Sequence, residues 1–115
     1  MKKLIWQGSS RERIRAFPEI TKDLAGRELY RVQVGEMPTD WRPMPAIGSG
    51  VIEIRLHRPN EYRVFYVATF AEAIYVLHAF QKTTQRTSEQ DKQAGRTQYA
   101  EVQKDRQKAN LQQGL

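Results

Sequence analysis

The chain has 115 residues, enough for one domain with a single core. Nineteen Lys and Arg against thirteen Asp and Glu leave a net charge of +6, which favours a polyanionic partner by long-range attraction but names none. With no cysteine, disulfide frameworks, thiolate catalysis and zinc-finger ligand sets are excluded. The charge excess divides evenly between residues 1–81 and the remainder, so there is no basic tail. No apolar run approaches the roughly 20 residues needed to span a bilayer. Met1-Lys2-Lys3 starts like a signal peptide, but only Leu4, Ile5 and Trp6 follow before the chain turns polar, so a soluble, cytoplasmic protein is expected.

In chain order, Lys3–Trp6 reads as a short strand. Gly8-Ser9-Ser10 supplies a turn and a cap, and Ser9 with Glu12 has capping-box spacing for a short helix over Arg11–Arg15. Pro18 opens a second helix on which Ile20, Leu24, Ala25, Leu29 and Val32 recur at helical spacing, with Gly35 as its stop. The prolines and glycines of residues 36–50 predict an irregular connection anchored by Trp41 and Met44.

Val51–Leu56, Tyr62–Ala68 and Ile74–Gln81 are rich in β-branched and aromatic residues and read as three antiparallel strands. Pairing Arg55 with Arg63 puts Ile52, Ile54, Leu56, Val64 and Tyr66 on one face, and Glu53, Arg55, Arg63 and Phe65 on the other. Placing Arg63 opposite His78 adds Tyr75 and Leu77 to the apolar face, and Ile74, Val76, His78 and Phe80 to the charged one. A one-residue slip would exchange these two sets. From Thr83 onward the composition turns polar. Ser88 caps an expected helix to about Asn110, weakened by Gly95 and frayed or partly disordered. The expected organisation is a core over 1–82 and a polar extension over 83–115.

The charged face suits RNA. Cleaving an RNA strand requires a base for the 2′-hydroxyl, donors for the charged transition state and an acid for the leaving oxygen. Arg55 and Arg63 can donate in planar forks to phosphate. Lys82 can clamp phosphate or shuttle a proton, and His78 has the natural pKa for acid–base work. Phe80 can stack on a base, and Glu53 is either a base or the partner of an arginine. Thr84 and Arg86, just past the last strand, extend the RNA-binding set. Each has a structural alternative: Glu53 as half of a cross-strand ion pair, His78 as a hydrogen-bonded structural histidine, Phe80 as core. Two histidines far apart and no acidic cluster argue against a dedicated metal site.

The sequence resembles the phage-derived HigB-like branch of the RelE/ParE toxin superfamily. The resemblance lies in Trp6-Gln7-Gly8-Ser9-Ser10 with Phe17-Pro18, Ala25-Gly26 with Leu29, Pro38 with Trp41 and Pro43-Met44, Glu53-Ile54-Arg55, Tyr62-Arg63-Val64 and Leu77–Lys82. It implies an α+β, RelE-like fold, with two N-terminal helices packed on a twisted antiparallel sheet and a polar C-terminal helix. It implies a toxin that cleaves messenger RNA on the ribosome, in contact with rRNA, without a metal or other cofactor. A helix-turn-helix antitoxin would neutralise it. By position, Arg55, Arg63 and Lys82 would line the cleavage site, with His78 and Phe80 nearby. Thr83 stands where the family often has a second lysine. A ParE-like inhibitor of DNA gyrase, or a non-catalytic protein that binds RNA or a partner, are the alternatives.

Overall fold

The computed structural model describes residues 1–113. Its elements are β1 (Leu4–Trp6), α1 (Ser10–Arg15), α2 (Glu19–Gln33), β2 (Trp41–Pro43), β3 (Val51–Leu56), β4 (Tyr62–Val67), β5 (Ile74–Gln81) and α3 (Glu89–Gln113). The five strands form one sheet in the order β1-β5-β4-β3-β2. The molecule is α+β, but the sheet is mixed, which corrects the expected all-antiparallel arrangement. β1 lies parallel to β5, with Leu4 beside Ile74 and Trp6 beside Val76.

Local chemistry accounts for most boundaries. Gly8 turns the chain out of β1 at φ +52°, and Gly35 ends α2 at φ +92°, conformations that cost an L side chain energy. The capping box at α1 does not form, because Ser9 Oγ instead accepts a bond from Arg13 Nε at 3.1 Å. α1 is a short helix of six residues, and α2, with fifteen, is the long helix of the N-terminal part. α2 buries Thr21, Ala25, Leu29 and Val32, whereas Ile20 is exposed. The connection over 36–50 holds a strand, β2, whose three residues are all exposed; Trp41 therefore does not anchor the core, although Met44 packs against it.

The first hairpin has the expected register, with Ile54 opposite Val64, Arg55 opposite Arg63 and Leu56 opposite Tyr62. The second does not. Arg63 faces Phe80, Phe65 faces His78, and Tyr66 faces Val76, so Leu77 is left without an opposite number. This bulge reverses the facing of everything before it on β5. Ile74 and Val76 join the core beneath α1 and α2, whereas Tyr75 and Leu77 join the opposite core with Phe65 and Phe80. The sheet is thus buried on both faces.

The second face is covered by α3, a 25-residue helix that corrects the expected frayed extension. Ser88 does cap it: the Asp91 N–H donates to Ser88 Oγ at 3.1 Å, and Ser88 Oγ donates to Asp91 Oδ2 at 2.8 Å. Gly95 is not a weakness but the point of closest approach. A Cβ there would lie 2.9 Å from the Phe65 ring and 3.1 Å from Ile47. Farther along, Tyr99 packs over Gly48 and donates to the Ser49 carbonyl, Val102 is fully buried, and Arg106 pairs with Glu72 while lying 4.0 Å over the Phe70 ring. Few apolar residues suffice because Gly95, Tyr99 and Val102 sit in close-packed positions.

Candidate functional site

Two of the cavities beside α3 reach the face that carries Glu53, Arg55, Arg63, His78 and Phe80. The first, of about 370 Å³, lies between α1 and α3 and includes Ser9, Arg13, His78, Gln90 and Gln93. The second, of about 380 Å³, lies at the open end of the sheet between β2, the start of α3 and the 83–88 loop. Its walls include Arg42, Glu53, Lys82, Arg86 and Lys92.

The second cavity is the chemically loaded one. Four cations converge on it around a single carboxylate, each from a different part of the chain: Arg42 from β2, Lys82 from the end of β5, Arg86 from the loop and Lys92 from α3. Glu53 is only 3 % exposed. Burial raises its pKa above the ordinary carboxylate value, while Arg63, Arg55, Lys82 and Arg42 pull it back down. Its Oε2 has no hydrogen-bond partner, and Oε1 lies 3.7 Å from Arg63 Nε. A buried carboxylate kept from full pairing, with cations on several sides, is a candidate for proton exchange.

Arg63, only 1 % exposed, is not available to a ligand. Its guanidinium donates to the Tyr62 carbonyl at 3.0 Å and pairs with Glu61 at 2.9 Å. It supports Glu53 from behind. Arg55 is half-buried on the same face, and its Nε is buried without a partner. Of Arg55, Arg63 and Lys82, expected to line one cleavage site, only Lys82 lines the cavity; Arg55 and Arg63 act on it through the field they exert on Glu53.

His78 and Phe80 lie elsewhere. His78, 4 % exposed, donates from Nε2 to Asp91 Oδ1 at 2.8 Å and lines the first cavity. Burial lowers its pKa, against the opposing pull of the Asp91 bond. Its ring stacks on Phe80 at 5.4 Å, and Phe80 in turn meets Phe65 edge-on at 5.3 Å inside the core. These are the structural alternatives anticipated for both residues. Thr84 and Arg86 are exposed on the loop beyond β5, where the Thr84 hydroxyl donates to the Arg86 carbonyl. Arg42 and Lys92 were invisible as site residues in the sequence. Their elements read as an irregular connection and a loose extension, so nothing placed them beside Glu53.

The described residues thus define a small α+β protein with a cation-lined cleft at one end of a doubly covered sheet. Residues 12–100 match the family described as phage-derived Gp49-like protein (DUF891). That span is well over half of the chain, which therefore belongs to this family. No curated protein matches the chain. Among the described residues there is no helix long and apolar enough to cross a membrane, and no cluster of His, Asp and Glu able to hold a metal.

Proposed function

We propose that this protein is the toxin of a toxin–antitoxin pair and an endoribonuclease acting on ribosome-bound messenger RNA, with the Glu53 cleft as its site. The observation that carries the reading is the five charged groups gathered there: one buried carboxylate, Glu53, set among Arg42, Lys82, Arg86 and Lys92. Membership of a phage-derived family is compatible with a toxin.

The chemistry follows from the placement. The scissile phosphate sits among the four cations. Ionised Glu53 removes the proton of the adjacent 2′-hydroxyl, whose oxygen attacks phosphorus. Arg42 and Arg86 stabilise the charge that accumulates on the phosphoryl oxygens, the stage at which positioned donors contribute most. The bond to the 5′-oxygen breaks, and Lys82 protonates that leaving oxygen. The products are a 2′,3′-cyclic phosphate and a 5′-hydroxyl. Arg63 and Arg55 act on Glu53 rather than on the phosphate. In this role set a helix-turn-helix antitoxin would neutralise the protein in the cytoplasm.

Induced expression with mapping of message ends tests the proposal. The expected result is growth arrest with new cyclic-phosphate ends, both lost in Glu53→Gln, which removes the base and should slow cleavage by about 10²–10⁴-fold. Arrest with intact message and blocked DNA supercoiling by gyrase would overturn it. So would salt-sensitive RNA binding with neither arrest nor cleavage.

A further inference from the structure

A chain of ionisable side chains runs from solvent to the wall of the cleft. Asp40 precedes β2, and His57 and Glu61 stand at the two ends of the β3–β4 turn. His57 Nε2 donates to Asp40 Oδ2 at 2.6 Å, and Nδ1 donates to Glu61 Oε2 at 2.8 Å. Glu61 Oε1 takes a bond from an Arg63 terminal nitrogen at 2.9 Å, and Arg63 Nε lies 3.7 Å from Glu53 Oε1. The same two carboxylate residues also fix the backbone of the site cations. The Arg55 N–H donates to the Asp40 carbonyl at 3.0 Å, and the Lys82 N–H to the Glu61 carbonyl at 2.8 Å. His57 has no bond to the core and is about half exposed, so its position between two acids is not explained by packing.

We propose that His57 is a positioning residue whose proton decides how Arg63 is shared between Glu61 and Glu53, and so sets the charge state of Glu53 in the cleft. Protonated His57 neutralises Glu61 and leaves the Arg63 charge free to act on Glu53. When His57 loses its proton, Glu61 competes fully for Arg63, and Glu53 holds its own proton more tightly. The ionisable groups that face His57 are Asp40 and Glu61; their hydrogen bonds, that of Asp40 first, favour its protonated form. The consequence for cleavage rests on the reading of Glu53 as the base, but the linkage itself rests on the four distances.

The test is a carboxyl-carbon NMR titration of Glu53 in the full chain, with Glu53→Gln identifying its signal. His57→Ala should raise the Glu53 midpoint, since Glu61 is then unopposed. Glu61→Gln should lower it, since Arg63 then serves Glu53 alone. His57→Lys, a cation throughout the range, should hold it near the wild-type position. Mere loosening of the turn would move Glu53 in the same direction in both of the first two variants. That outcome, or no movement in either, overturns the linkage. Should His57→Ala fail to fold, His57→Gln carries the same expectation. Opposite shifts without any RNA cleavage would remove the nuclease reading and leave the linkage intact.

Discussion

Glu53 and Arg63 illustrate how a pair of side chains can serve a site at a cost to the fold. Both are almost fully buried, and each keeps one polar atom without a hydrogen-bond partner, Glu53 Oε2 and Arg63 Nε. Removing one member of a buried pair leaves the other as an uncompensated charge, which typically costs about 3–5 kcal/mol. Arg63→Ala is therefore expected to destabilise the protein by about that amount in urea unfolding. The Glu53→Gln, Arg63→Met double variant should recover much of the loss while remaining inactive. Near-additive losses in the double variant would mean that the two residues do not act as a pair.

Among the elements, α3 decides how much of the molecule is site and how much is core. It covers Phe65, Phe80 and His78 and leaves open the end of the sheet, where Lys92 joins the cleft. The contact at Gly95 controls that cover. Alanine is the better helix former by about 1 kcal/mol, yet its methyl would meet the Phe65 ring at 2.9 Å. Gly95→Val adds further bulk and is expected to destabilise by about 1–3 kcal/mol in urea unfolding. A neutral or stabilising effect would show that α3 can lift from the sheet at little cost. The facing of β3 and the start of β4 was legible in the sequence because Glu53 and Arg55 alternate with Ile52, Ile54 and Leu56, and Arg63 stands between Tyr62 and Val64. The facing of Ile74–Leu77 was not, because both β5 faces are apolar and period-two reading cannot see an extra residue between them. α3 was misjudged for a related reason: Gly95, Tyr99 and Val102 look sparse as a stripe, and their value lies in contacts with Phe65, Gly48 and the sheet. With the docking of α3 hidden, the convergence of Arg42 and Lys92 on Glu53 was also out of reach.

For the molecule as a whole, pH and salt act on different parts. The Arg106 hydrogen bond holds Glu72 down to a pKa of about 2. A carboxylate whose folded pKa lies below its unfolded value of about 4.5 contributes stability above that value and loses it as pH falls toward 2. His78, whose pKa burial lowers, adds an earlier loss that begins as pH falls through about 6.5, where the unfolded chain takes up the proton first. Both groups hold α3, through Arg106 and Asp91 respectively. Thermal unfolding followed by circular dichroism should show Tm falling from pH 7 toward pH 3, with Glu72→Gln flattening the lower part of that fall. If the four cleft cations reach the phosphates flanking the scissile one as well, so that four are neutralised, affinity for single-stranded RNA should drop about 50-fold between 50 and 200 mM salt. A salt-independent affinity would place the binding surface elsewhere.

The parallel pairing of β1 with β5 also bears on when this protein becomes competent during its own synthesis. Leu4 is made early, but its neighbour Ile74 comes seventy residues later, and Lys92 later still. Such distant pairings are slow to close and close late. A nascent chain on its ribosome therefore holds Glu53 without its full ring of counter-charges until α3 has emerged.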